Sequence, residues 1–255
     1  MFYLRLSVLL LPVLLFGSAQ LLRFFPKSFL PIIIIGSLLL VFWVFKLFRA
    51  VGHKKENLTW LNYSILPLFF HLSSILYFSI EPNLFIGQII LFLDAFFQFH
   101  YLKNIYYFIA NKENRSEQLK NISFFGGVLL IFFSAGFIYG LKAFLGYPLL
   151  PVFLAFSVSI LAAWYQIFIF GPFSIKKNIN FFLIALLSLL QIALVLFFLP
   201  FSYHILGIIM TLAFYFVVGI GRLYLQGFIP KKQLKFYLIF TILAGFFLLL
   251  TARWL

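Results

Sequence analysis

Nine runs of predominantly apolar residues follow one another along this chain, at roughly 4–24, 29–50, 58–79, 84–108, 122–144, 149–170, 180–199, 203–226 and 235–253. Each is about the twenty residues that a helix needs to cross the hydrocarbon core of a bilayer. Inside lipid no water is present to satisfy backbone N–H and C=O groups, so a spanning segment must satisfy its own, and a helix does so. Composition excludes the soluble alternative: 65% of the residues are hydrophobic and only 9% charged, against about a quarter charged in an ordinary soluble domain. The expected fold class is all-α, a polytopic transmembrane bundle of about nine helices, with residues 1–255 forming a single integral membrane domain. The connections are short and rich in turn formers, among them "IEPN", "LGYPLLP" and "LPFSY", and none is long enough for a soluble domain.

The first run begins with Arg5 and passes the small residues Gly17, Ser18 and Ala19, a pattern that resembles a signal peptide. Its apolar character continues to Phe25 and a second span follows at once, which predicts a retained first helix.

The net charge is +14, but its distribution points to a membrane rather than to nucleic acid. Lysines and arginines cluster in alternate connections, as cytoplasmic loops do. With the N-terminus inside, 15 of them fall on the cytoplasmic side and 4 (Arg23, Lys27, Lys142, Arg253) on the other. This predicts a cytoplasmic N-terminus, an external C-terminus and Trp254 at the interface, and the short loops, the lack of cysteine and the abundance of Lys, Asn, Ile and Phe suggest a bacterial inner membrane. The expected partners are the lipid bilayer and a small-molecule or lipid substrate, with no nucleic acid. Without cysteine, and with four histidines and five acidic residues in all, neither a metal site nor a cofactor is predicted.

A shift of 120 residues lays Pro31 on Pro151, Ser37 on Ser157 and Gly87 on Gly207, and matches the order of turns. It suggests two four-helix repeats, 1–120 and 121–234, in the same orientation, followed by a final helix, 235–255. Ordinary loop spacing in four independent hairpins gives a similar pattern.

Asp94 lies near the middle of the fourth run, within "LFLDAFFQFHYLKN". An ionised carboxylate at that depth costs about 2.5–3.5 kcal/mol on insertion scales, so it is expected to face protein or to carry a proton. Gln98 and Tyr101 follow it at i+4 and i+7, on one helical face. The tight "EPN" turn makes the third and fourth helices antiparallel neighbours, and counting back from it puts Asp94 within ~3 Å of rise of His71. Two readings stand: a substrate- or proton-binding site made of Asp94, His71, Gln98 and Tyr101, or interhelical hydrogen bonds that only fix packing. The repeat would add Gln191, the position that corresponds to His71. On the basic side, Arg222, Lys176 and Lys177 are candidates for a lipid phosphate. The small residues of "VVGIG", with Gly207, predict close helix approach in the eighth span.

Two four-helix units plus a ninth helix, with the N-terminus inside, is a layout similar to that of the UbiA-type membrane prenyltransferases. That family holds magnesium and a prenyl diphosphate on aspartate-rich motifs at the cytoplasmic ends of its second and sixth helices. The corresponding stretches here, "FKLFRAVGHKKENL" and "FIFGPFSIKKNINF", contain one Glu and no Asp, so the layout is shared without the metal ligands. Three functions are therefore weighed. The first is a small permease or transporter-like protein with a midplane polar site. The second is a lipid- or prenyl-handling enzyme that uses Lys54, Lys55, Lys176, Lys177 or Arg222. The third is a non-catalytic membrane subunit or assembly factor.

Overall fold

The computed structural model describes residues 2–51, 59–109, 116–169, 178–225 and 231–251. Among them there are nine α-helices and no strand: α1 (Phe2–Phe24), α2 (Phe29–Val51), α3 (Trp60–Ile80), α4 (Leu84–Ile109), α5 (Ser116–Leu145), α6 (Leu149–Ile169), α7 (Ile179–Leu196), α8 (Tyr203–Leu225) and α9 (Lys231–Thr251). A short 3₁₀ turn, Pro26–Ser28, leads into α2. Eight helices, α1 to α8, are long and apolar enough to cross a membrane. The ninth apolar run also forms a helix, α9, whose opening turns carry Lys231, Lys232 and Lys235.

Two helices start earlier than hydropathy predicts. α5 begins at Ser116 rather than near 122, and its first turns hold a surface ion pair between Lys120 Nζ and Glu117 Oε1 at 2.6 Å. α9 begins at Lys231 rather than 235. Hydropathy marks the lipid-immersed length, whereas the helix continues for a turn or more as long as its backbone bonds are made.

The ends are set by local chemistry. At the turn between α3 and α4, Asn83 Oδ1 accepts the N–H groups of Phe85 (2.9 Å) and Ile86 (3.3 Å), and Glu81 Oε1 accepts that of Asn83 (3.0 Å). These bonds satisfy donors that the first turn of α4 leaves without intrahelical partners. Gly146 ends α5 in the left-handed conformation at φ +58°, with its N–H on Lys142 O at 3.1 Å, as a helix-terminating glycine does.

The chain divides into two compact units, Met1–Gly127 and Val128–Leu255, with the division inside α5. In the first unit α1 packs on α2 and α4, and α3 on α2 and α4, so the four helices close into a ring. In the second, α7 packs on α6 and α8, and α8 packs on α9. Here the glycines act as the sequence predicts: a Cβ on Gly207 would lie 3.3 Å from Gly136 Cα, and Gly219 leaves room for the ring of Tyr237. Lys142 Nζ donates to Phe197 O, capping the end of α7, and sits over the rings of Phe197 and Phe198.

Each unit presents apolar side chains outward. On α4, Phe92 and Phe96 are 62% and 52% exposed, while Asp94, Gln98 and Tyr101 on the other face are buried. The exposed phenylalanines have no place on a water-facing surface and suit contact with lipid chains. By length, apolarity and the outward placement of these side chains, the chain is a multi-pass helical membrane protein.

Candidate functional site

The residues that sequence singles out on α3 and α4 come together inside the first unit. The antiparallel turn at Glu81–Asn83 fixes the register of the two helices, and in that register Nδ1 of His71 and Oδ2 of Asp94 share a hydrogen bond at 2.7 Å. Both residues are buried, His71 completely and Asp94 to 3% exposure. A contact this short needs a proton between the two atoms, and either one can hold it. Asp94 thus faces the neighbouring helix, where a polar partner offsets part of the cost of burying a carboxylate.

Gln98 and Tyr101 also reach α3, and a proline explains the contact of Tyr101. Pro67 lies inside α3 and has no N–H, so the carbonyl of Tyr63, one turn back, loses its intrahelical donor. Tyr101 Oη donates to that carbonyl at 3.3 Å. Gln98 Nε2 donates to Pro67 O at 2.9 Å and to Asp94 Oδ1 at 3.3 Å. Through Tyr101, one face of α4 therefore repairs the break in α3, and through Gln98 it ties the backbone at Pro67 to the acid. The fully buried rings of Phe70 and Tyr101 and the buried Phe97 enclose this polar seam; Phe97 stacks on Phe70 at 4.0 Å and on Tyr101 at 5.5 Å between centroids.

Two buried polar atoms of the seam have no hydrogen-bond partner among the described residues: Nε2 of His71 and Oε1 of Gln98. Nε2 points at α2, where a Cβ added to Gly36 would lie 2.6 Å from it and 3.1 Å from Leu15 Cδ2 of α1. The far side of the imidazole thus meets α1 and α2 at a glycine. Buried atoms of this kind are uncommon in folded proteins and mark strain, chemistry or an exchangeable ligand.

The other candidates are placed differently. Gln191 is exposed on α7 in the second unit, so the repeat position of His71 does not share its burial. Phe214, which the shift lays on Asp94, is fully buried. Arg222 is half-buried in the last turn of α8. Lys176 and Lys177 lie outside the described residues, as do Lys54, Lys55, Arg253 and Trp254.

Three assemblies in the first unit are not set by the sequence pattern. Gln88, off the Asp94 face, forms a reciprocal amide pair with Gln20 of α1, at 2.6 and 2.9 Å. His100 and Lys103 line a cavity of about 320 Å³ with Asn104, Gln118 and Asn121. Arg23 lines another of about 480 Å³. Each joins helices that are not consecutive or residues beyond the span ends, and single-helix periodicity carries no signal for such contacts.

No family model, curated protein or solved structure matches this chain. Its class therefore rests on its own helices.

Proposed function

We propose that the protein is a small permease or transporter-like protein, with the His71–Asp94 pair as a proton-responsive site near the middle of the first unit. The carrying observation is the 2.7 Å pair itself, buried in a span, with Nε2 of His71 buried and unpartnered at Gly36. Ionisable groups at such depth are expensive and concentrate on substrate and proton pathways. One proton between Nδ1 and Oδ2 leaves the pair with a net negative charge. A second, on Nε2, brings the net charge to zero. Protonation at Nε2 therefore changes the charge that the membrane interior must accommodate, and this couples proton occupancy to helix arrangement. Pro67 supplies the compliant point: Tyr101 and Gln98 hold α3 on either side of it, and releasing them frees α3 to move and expose the imidazole.

A second reading is favoured by those same latches. Gln98 Nε2 donates to Pro67 O and Tyr101 Oη to Tyr63 O, both backbone carbonyls of α3, as they would in a purely structural staple of a non-catalytic membrane subunit. The distribution of basic residues further supports a cytoplasmic N-terminus, and the short loops and cysteine-free composition support a bacterial inner membrane. Reporter fusions after Ala50 and at the C-terminus should be active on the inner and outer side respectively, and the reverse pattern would refute that orientation.

The full chain in proteoliposomes containing a pH-sensitive dye tests the function. Amino acids, sugars and carboxylates added singly should include at least one that drives proton uptake. Asp94→Asn should abolish that uptake while keeping a native circular-dichroism spectrum. Proton silence across the whole panel, or undiminished uptake by Asp94→Asn, would favour the structural staple instead.

A further inference from the structure

At the end of the first unit where α1 and α3 finish and α4 begins, a second polar assembly stands apart from the His71–Asp94 seam. Arg23, in the last turn of α1, is half-buried. Its Nη2 donates to Leu84 O at 3.1 Å, and its Cζ lies 5.1 Å over the ring of Phe78. Gly87 makes the room: a Cβ there would sit 2.7 Å from Nη2 and 3.1 Å from the Phe78 ring. A carbonyl, an aromatic face and a glycine on two further helices thus hold the guanidinium in one position.

That guanidinium lines a cavity of about 480 Å³ together with Glu81, Ser79, Pro26, Phe29 and Phe78. The volume is within the range of small-molecule sites. A guanidinium has five N–H donors, and one bond to Leu84 O leaves several for a ligand. The carboxylate of Glu81 is steadied by the N–H of Asn83 at 3.0 Å, and it can accept more than one hydrogen bond. The cavity therefore offers a fixed cation and a fixed anion, with two aromatic rings beside them. It lies at helix ends, flanked by exposed Phe24, Phe25, Leu84 and Phe85, as expected of a site at the headgroup level of a bilayer.

We infer that this cavity binds a phosphoethanolamine group carried by a membrane phospholipid. The phosphodiester would be held by Arg23, whose planar fork suits phosphate oxygens. The primary ammonium would meet Glu81, and the glycerol backbone would lie over Phe29 and Phe78. This inference goes beyond the proton-responsive seam and does not depend on it.

The test is native mass spectrometry of the full chain released from nanodiscs of equimolar phosphatidylethanolamine and phosphatidylglycerol. The wild type should retain phosphatidylethanolamine in preference. Arg23→Gln should lower that retention about tenfold, the scale of one charge-assisted hydrogen bond, and Arg23→Lys should lower it less. Glu81→Gln should keep lipid but lose the preference for phosphatidylethanolamine, which gives a readout even if the Arg23 variants fold poorly. Equal retention of both lipids by the wild type, or unchanged retention in Arg23→Gln and Glu81→Gln, overturns the inference. Displacement of the lipid by millimolar soluble phosphoethanolamine would overturn the assignment to a phospholipid.

Discussion

Gly36→Ala places a single methyl group against the least yielding part of the seam. The new Cβ would stand 2.6 Å from His71 Nε2 and 3.1 Å from Leu15 Cδ2, so relief to ordinary contact requires the ring or the helix to give by ~0.8 Å. The ring cannot retreat directly, because its opposite nitrogen already lies 2.7 Å from Asp94 Oδ2. It must rotate and lose that bond, or α2 must move away from α3. Overpacking of this kind costs about 1–3 kcal/mol. The intrinsic preference of a helix for Ala over Gly returns at most ~1 kcal/mol, which leaves a net loss of about 0–2 kcal/mol, at the upper end here because the ring is pinned on its far side by Asp94. Unfolding in mixed micelles by a denaturing detergent, followed by the fluorescence of the four tryptophans, would measure it; thiol-reactive dyes are silent in a chain without cysteine. In a His71→Ala background the obstructing ring is gone, and Gly36→Ala should become neutral or stabilising. A neutral effect in the wild type, or the same loss in both backgrounds, would refute the placement of the imidazole against Gly36.

The repair of the α3 break and the Gln20–Gln88 pair give two further expectations. Tyr101→Phe removes the donor to Tyr63 O and should cost about 1 kcal/mol. Pro67→Ala restores an intrahelical N–H for that carbonyl, so in its background Tyr101→Phe should cost only a few tenths; equal losses in both backgrounds would contradict the latch. For the amide pair, Gln20→Leu leaves the half-buried Gln88 without its partner and should cost about 1 kcal/mol. Adding Gln88→Leu should recover part of that loss, and a strictly additive double variant would rule the pair out. Both pairs of measurements use the same unfolding assay.

Much of this fold can be read from the sequence, because lipid imposes one rule on every spanning backbone. Each apolar run becomes a helix, and most ends fall within a few residues of those expected. Where they differ, as at Ser116 and Lys231, charged turns extend a helix past the membrane, a region on which hydropathy is silent. The contact between His71 and Asp94 is legible too, since a three-residue turn fixes the register of two antiparallel helices. Gln98 and Tyr101 are legible as members of the same face. Their partners are not: Pro67 signals a break in α3, but only the packed arrangement shows which side chains fill it. Gln20–Gln88 and the Arg23 cavity join α1 to α4, helices adjacent in space and distant in sequence, and no turn sets their register. Gln191 shows the converse limit. A shift of sequence finds a corresponding position, yet burial depends on which face its own neighbours cover, and α7 leaves that residue exposed.

The claim on which the account turns is that His71 and Asp94 act as one unit across α3 and α4. A double-mutant cycle of His71→Ala and Asp94→Ala, measured on unfolding of the full chain in a membrane-mimetic environment, tests it most directly. Interhelical hydrogen bonds in membranes average ~0.6 kcal/mol and reach ~1.7, and a buried pair with one ionisable partner on each helix belongs at the upper end. The account predicts a coupling of at least ~1 kcal/mol, with either single variant costing nearly as much as the two together. Losses that add to within ~0.5 kcal/mol would contradict it.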